Sequence, residues 1–443
     1  MNKKDFGENF IWGVSTAAYQ IEGAYLSDGK KTSIWDEFTS KPKKIYENQN
    51  GQVACDFYHR YKEDILLMKE MNITNYRFSI SWSRIIPNGT GAINEAGIHF
   101  YNQVIDFCLE SGITPWITLY HWDLPQALED KGGWTSRTIL EWFSEYTKVC
   151  AQRFGDRVKN WMVLNEPMVF TGAGYFLGVH APGRTGLKNF LPAVHYATLC
   201  QALGGKILKS LIPNVNVGTT FSCSQITAHS DSDKDIRAAK RADTLINRLF
   251  IEPALGMGYP VEDLKVLKKL EKYQKPEDAE NMVFDFDFIG IQNYTREVIR
   301  HSYGVPYLRA KIVPAEERNV PLTEMKWEVH PPSIRAMIAQ FNSYKKVKKL
   351  IITENGAAFK DTVINGQVND MERTQYFIDN LNQVNAAKKA GLEVSGYFAW
   401  SLTDNFEWAE GYRTRFGLVH VNYETQQRIL KKSGIWFREF LKE

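Results

Sequence analysis

The feature that most constrains this chain is an alternation repeated along its whole length: a short β-rich run, then a longer stretch with apolar residues three and four apart. Short runs of β-branched and aromatic residues bounded by polar segments read as buried strands, and the three-to-four spacing reads as amphipathic helix. Eight runs qualify: Phe10–Val14, Asn75–Ile80, Pro115–Leu119, Asn160–Leu164, Val215–Thr220, Phe286–Ile291, Leu350–Thr353 and Gly396–Trp400. Between them lie helical patterns such as Tyr58–Met71, Ile98–Ser111, Ile139–Phe154, Ala193–Leu211 and Glu372–Ala390. Gly112 and Gly391 stand where two of these helices stop, as C-terminal glycines do. The alternation specifies an α/β fold with a parallel sheet, either closed as a (β/α)8 barrel or open and doubly wound. An open dinucleotide-binding sheet should carry G-x-G-x-x-G after a strand. The nearest stretches, Gly172-Ala173-Gly174 and Gly256-Met257-Gly258, lack the third glycine. The closed TIM barrel is therefore expected, as a single catalytic domain over residues 1–443 with long βα loops around its mouth. Ser302–Trp327, polar and proline-bearing, reads as one such loop.

Composition narrows the function classes. Lys and Arg total 54 against 51 Asp and Glu, a formal charge of +3, which argues against a nucleic-acid surface or a polybasic membrane anchor. The five cysteines are odd in number, widely spaced and without C-x-x-C, the pattern of reduced thiols in a cytosolic protein. Phe10–Ala18 is interrupted by Gly13, Ser15 and Thr16 and makes a poor signal-peptide core, so a soluble, cytoplasmic protein is expected. Aromatic residues reach 13%, enough to supply stacking surfaces for sugar-like ligands besides filling a core. The nine histidines show no H-E-x-x-H or comparable ligand spacing, so neither a metal nor another cofactor is expected.

In such barrels the working residues occupy the C-terminal ends of the strands. Those ends are strongly polar here: Tyr120-His121-Trp122-Asp123 after the third strand, Asn165-Glu166-Pro167 after the fourth and Gln292-Asn293-Tyr294 after the sixth. Glu354-Asn355-Gly356 follows the seventh, and Trp400-Ser401 leads on to Asp404, Glu407 and Trp408 after the eighth. A carboxylate directly after an apolar strand is costly unless it is paired or lies in a site. Glutamates after strands four and seven can face each other across the mouth. Paired carboxyl groups are what glycosidic cleavage needs, one protonated to donate to the leaving oxygen, the other ionised to attack or to activate water.

Six segments, in order along the chain, resemble glycoside hydrolase family 1: FIWGVSTAAYQIEG at Phe10–Gly23, YRFSISWSR at Tyr76–Arg84, LYHWDLP at Leu119–Pro125, LNEP at Leu164–Pro167, ITENG at Ile352–Gly356 and AWSLTDNFEW at Ala399–Trp408. The resemblance implies a (β/α)8 barrel and a retaining β-glycosidase, most often a β-glucosidase. It implies Glu166 as acid/base and Glu354 as nucleophile, with Arg77 and Tyr294 as partners of the nucleophile. A cation and a hydroxyl donor should lower the Glu354 pKa, and its charge should hold Glu166 protonated. The sugar-binding set implied by the resemblance is Gln20, His121, Trp122, Asn165, Gln292, Trp327, Trp400, Glu407, Trp408 and Phe416. Trp400 would be the stacking floor and Trp327 the leaving-group platform.

Two positions depart from the family pattern. Gln292 stands where the family commonly has asparagine, and His330-Pro331-Pro332 replaces the commoner Tyr-Pro-Glu beside Trp327. Both touch preference rather than reaction class. The expected partner is a small-molecule β-glucoside or short oligosaccharide, with no nucleic acid and no membrane; nothing in the pattern selects an oligomeric state. Rival readings are a β-galactosidase, a β-fucosidase or a 6-phospho-β-glycosidase of the same family, or a sugar-binding barrel without catalysis. The last is disfavoured because both glutamates are present. Arg413 and Arg415 read as surface or loop pairing rather than phosphate ligands.

Overall fold

The computed structural model describes residues 2–442. Eight parallel strands close into a barrel: β1 (Ile11–Ser15), β2 (Asn75–Ser79), β3 (Thr114–Tyr120), β4 (Asn160–Asn165), β5 (Asn216–Ser222), β6 (Phe288–Gln292), β7 (Leu350–Asn355) and β8 (Gly396–Trp400). Each pairs with the next in sequence, and β8 returns to β1 with Ile11 opposite Gly396 and Ser15 opposite Trp400. Every expected strand is present, its ends shifted by at most two residues. The strands are buried along nearly their whole length because one face lines the barrel and the other meets the surrounding helices.

The period of two sorts the barrel interior into layers. Trp116, Met162, Phe288, Ile351 and Phe398 form an apolar plug at one level. Trp116 meets Phe288 and Phe398 edge-on, with ring centroids 5.6 and 5.4 Å apart. These rings fit because Gly13 and Gly218 lie against them: an added Cβ would come within 2.5 Å of Phe398 and 2.3 Å of Phe288 respectively. Two residues further along the strands the interior turns polar. The Ser15 hydroxyl donates to the Thr353 carbonyl at 2.8 Å, Thr220 and Thr353 hydroxyls meet at 2.6 Å, and Arg77 Nε donates to Thr118 Oγ1 at 3.1 Å. The plug closes the barrel below, and the polar layer supports the residues above it.

Helices Phe57–Glu70, Glu95–Glu110, Ile139–Phe154, Leu187–Leu211 and Met371–Lys389 cover the barrel, matching the periodic stretches to within a few residues except that Leu187–Leu211 starts six residues earlier than the spacing indicated. Gly112 and Gly391 take positive φ (77° and 81°) where their helices end. The stretch 302–327, expected from its polarity to be loop, is partly strand. Its Ala310–Ile312 segment pairs antiparallel with Arg296–His301, which pairs in turn with Gln225–Ala228 in a small sheet beside the mouth. That pairing satisfies backbone groups that a long free loop would leave to water. All five cysteines are buried and unpaired. Among the described residues no helix is long and apolar enough to cross a membrane.

Candidate active site

The two glutamates stand at the ends of β4 and β7, as the strand-end reading placed them. Glu166 sits at positive φ (45°) immediately before Pro167, the first residue of helix Pro167–Tyr175. A following proline disfavours right-handed helical geometry, so the chain breaks direction at Glu166. Its amide still donates to the Thr220 carbonyl at 2.9 Å. Glu354 is gripped from both sides: Arg77 Nη1 donates to Oε1 at 2.5 Å, and the Tyr294 hydroxyl donates to Oε2 at 2.6 Å.

Burial raises the Glu354 carboxyl above the usual range, and Arg77 and Tyr294 pull it back down. This corrects the expectation of a simple lowering: the sequence displayed the partners but not the depth of burial that opposes them. Burial and the facing charge of Glu354 together push Glu166 well above the carboxylate range, against a weaker pull from Ser222 and Arg77. The order is what matters. Arg77 is fully buried and its ion-pair partner is Glu354, so the negative charge belongs on Glu354 and the retained proton on Glu166.

Asn165 ties the floor together. Its Oδ1 accepts from Arg77 Nη2 at 2.6 Å and from Gln292 Nε2 at 2.9 Å, which turns its amide nitrogen toward His121 Nε2 at 2.9 Å. The Asn165 carbonyl accepts from Trp122 Nε1 at 2.9 Å. Burial and the nearby Arg77 charge lower the His121 pKa well below its ordinary value. His121 is therefore neutral, accepts at Nε2, and keeps its proton on Nδ1 as a free donor. On the other flank Gln20 Nε2 donates to Asn405 Oδ1 (3.0 Å), the Phe406 carbonyl (2.9 Å) and Glu407 Oε2 (3.3 Å). Glu407 is pushed up to about 8 by burial and by the Glu354 charge, against donors on Gln20 and Trp400. Four buried polar atoms here have no partner among the described residues: Gln20 Oε1, His121 Nδ1, Glu166 Oε1 and Gln292 Oε1. Such a cluster marks a place where a polar ligand completes the hydrogen bonding.

Above this floor opens a cavity of about 290 Å³. Of the expected residues, His121, Trp122, Glu166, Tyr294, Trp327, Glu354, Trp400, Glu407, Trp408 and Phe416 line it. Gln20, Arg77, Asn165 and Gln292 are fully buried behind that lining, so the structure gathers the whole set but divides it into wall and support. Trp400 and Trp408 flank His121 with near-parallel rings at 6.0 and 5.9 Å. Tyr294, Trp327 and Phe416 pack on one another in the same apolar cluster as Trp400. Sequence reasoning missed His180, Ser222, Ser224, Glu297, Met325 and Glu410, which also line the cavity. Ser222 ends β5 with a small hydroxyl that carries no catalytic signature of its own; the others sit on loops or, for Glu297, on the middle strand of the small sheet, where no periodicity points to them. Arg413 pairs with the Glu410 carboxylate, and Arg415 Nη1 donates to Asp404 Oδ2 at 2.7 Å. Both have the loop pairings expected of them.

The sequence model of glycosyl hydrolase family 1 matches residues 2–443. The chain belongs to that family. Among family 1 relatives, beta-glucosidase A of Thermotoga maritima is 42% identical over 100% of this chain and 99% of its own length. The beta-glucosidase of an Agrobacterium species is 40% identical over 98% of this chain and 94% of its own. A solved structure of the Thermotoga maritima beta-glucosidase in complex with deoxynojirimycin superposes with a TM-score of 0.95 at 41% identity, covering 99% of this chain and 98% of that one. Membership makes this family 1 chain a glycoside hydrolase and agrees with the closed barrel described above.

Proposed function

We propose that this chain is a retaining exo-β-glucosidase that releases terminal β-D-glucosyl residues from β-glucosides or short oligosaccharides. The reading rests on a buried pair of carboxyl groups of which, among the described residues, only Glu354 has a cationic partner, so the pair shares one charge and one proton. Glu354 is the nucleophile and Glu166 the acid/base. The Glu354 carboxylate attacks the anomeric carbon while Glu166 gives its proton to the departing glycosidic oxygen, and a covalent glycosyl ester forms. Glu166, now ionised, takes a proton from water, which attacks the same carbon and returns Glu354 to its charged state. Two inversions give net retention.

The rest of the site supports a single sugar ring at the closed end. Gln20 Oε1 accepts, His121 Nδ1 donates, and Glu407 bridges neighbouring hydroxyls. The Trp400 indole covers the C–H face of the ring. A floor closed by the barrel plug favours cleavage from the chain end. Relatives named beta-glucosidase at about 40% identity over the full chain support glucose over galactose or fucose. We also infer that residues 2–442 work as one catalytic unit, since the buried core runs without a break from Phe6 to Leu441. The cytoplasm suits five buried unpaired thiols. Proton NMR of the first product from an aryl β-glucoside tests the mechanism. β-Glucose appearing before mutarotation is expected, and α-glucose first would overturn it.

A further inference from the structure

Glu297 lies on the strand Arg296–His301, five residues beyond the end of β6, and lines the same cavity. Its carboxyl has neither a hydrogen-bond nor an ion-pair partner among the described residues, although its backbone carbonyl accepts from the Thr227 hydroxyl at 3.3 Å. The nearby cations are already engaged. Arg296 makes a two-pronged contact with Glu328, both distances 2.9 Å, and Arg318 donates to Glu328 at 2.5 Å. Burial consequently raises the Glu297 carboxyl to about 7, despite the opposing Arg318 charge. A half-buried carboxyl without a partner is unfavourable, and a donor arriving from the cavity relieves it. The walls around it differ in chemistry. Ser222, Ser224 and Glu297 line the cavity together with the apolar Val169, Met325 and Trp327. A group with hydroxyls on its edge and a C–H face fits such walls; a plain alkyl chain satisfies only the apolar part.

We propose that Glu297 is a specificity-determining residue of the leaving-group side, accepting a hydrogen bond from a hydroxyl of a second sugar, so that β-linked glucosyl disaccharides are preferred over alkyl glucosides. This rests on the glucosidase reading of the site. The test compares wild type, Glu297→Leu and Glu297→Gln on cellobiose and on n-octyl β-D-glucoside, whose leaving groups are both alcohols that need protonation. Glu297→Leu should lower kcat/KM for cellobiose by about tenfold or more, chiefly through KM, as loss of one bond to a carboxylate implies. Octyl glucoside turnover should fall far less, because an alkyl leaving group makes no hydrogen bond there for the substitution to remove. Glu297→Gln keeps an acceptor and should restore most of the cellobiose activity. Equal losses on both substrates, or no loss on cellobiose, would overturn the role of Glu297 alone. Wild type inactive on both substrates would overturn the glucosidase reading itself, and this role with it.

Discussion

Two buried clusters of charge meet at the loop after β8, which carries Asp404 and Arg415 of one and Glu407 of the other, and they are built to opposite ends. In the first, three acids meet three cations: Asp361, Asp370 and Asp404 with Arg373, Arg415 and Lys431. Lys431 Nζ lies 2.5 Å from Asp404 Oδ1 and also pairs with Asp361; Ser433 donates to both oxygens of Asp370. Burial would raise Asp404, but Lys431, Arg415 and Arg373 outweigh it and hold it below the usual range. The oxygens of Asp361 and Asp404 converge with His420 in the manner of metal ligands, yet the protein's own cations already occupy them. In the second cluster, among the described residues, Arg77 alone faces Glu166, Glu354 and Glu407, and four polar atoms have no partner. The balanced cluster holds structure, anchoring the loop that carries Glu407, Trp408 and Phe416. The unbalanced one must store a proton and wait for a ligand, which is what catalysis by paired carboxyl groups requires.

Removing charge from the second cluster should cost activity first. Glu354→Ala should reduce turnover of every β-glucoside on the order of 10⁴-fold or more, since no glycosyl ester forms. Glu166→Ala should cost about 10²–10⁴-fold on alkyl and sugar leaving groups and much less on 4-nitrophenolate, which departs without a proton. Azide should rescue Glu166→Ala and yield the β-glycosyl azide; an α-azide would reverse the two roles. Stability should move the other way. Burial and the facing charge raise the folded-state pKa of Glu166 above the unfolded value of about 4.3. The stabilisation this proton supplies is therefore complete below about pH 4.3 and fades as pH climbs through the folded value. Glu166→Gln, which cannot ionise, should gain stability over wild type progressively as the pH is raised; a gain confined to acid pH would contradict the assignment.

The balanced cluster should respond with stability rather than chemistry. Lys431→Met strips a fully buried ammonium from Asp361 and Asp404 and should cost about 3–5 kcal/mol in denaturant unfolding, the usual penalty for orphaning a buried charge. At a temperature where the variant is folded, kcat should stay within a few-fold. An unchanged midpoint would mean that the cluster is not the anchor described here.

A smaller effect sharpens the sugar end of the comparison. Glu407, whether neutral or charged, offers no cation, and Arg413 and Arg415 are paired elsewhere, so a sugar 6-phosphate has nothing to neutralise it. At a desolvated contact this should cost roughly tenfold or more in kcat/KM relative to the neutral glucoside. A higher value for the phosphorylated substrate would overturn the placement of Glu407. Smallest of all, Gln292→Asn withdraws the amide by one methylene from Asn165 Oδ1, now 2.9 Å away. A change of about two- to fivefold in relative sugar preference, with folding intact, is expected for one lengthened bond of this kind. Complete loss of activity in folded protein would put Gln292 inside the essential network.

The eight strands were legible in the sequence, because a strand buried on both faces reads as an apolar run, and so were the residues that follow each strand. The sequence therefore placed Glu166 and Glu354 at the barrel mouth, and the six collinear segments pointed to the family that the whole-chain match establishes. Tertiary structure alone decided how those residues act on one another. Arg77 and Glu354 are 277 positions apart, and only closure of the barrel brings them to 2.5 Å. The same closure buries Glu354 deeply enough to reverse the expected direction of its pKa, sends Arg415 to Asp404 rather than into the cavity, and leaves Glu297 unpartnered on its wall. Local periodicity encodes which face of an element is buried. Desolvation and long-range pairing depend on which faces meet, and no window of sequence contains both partners.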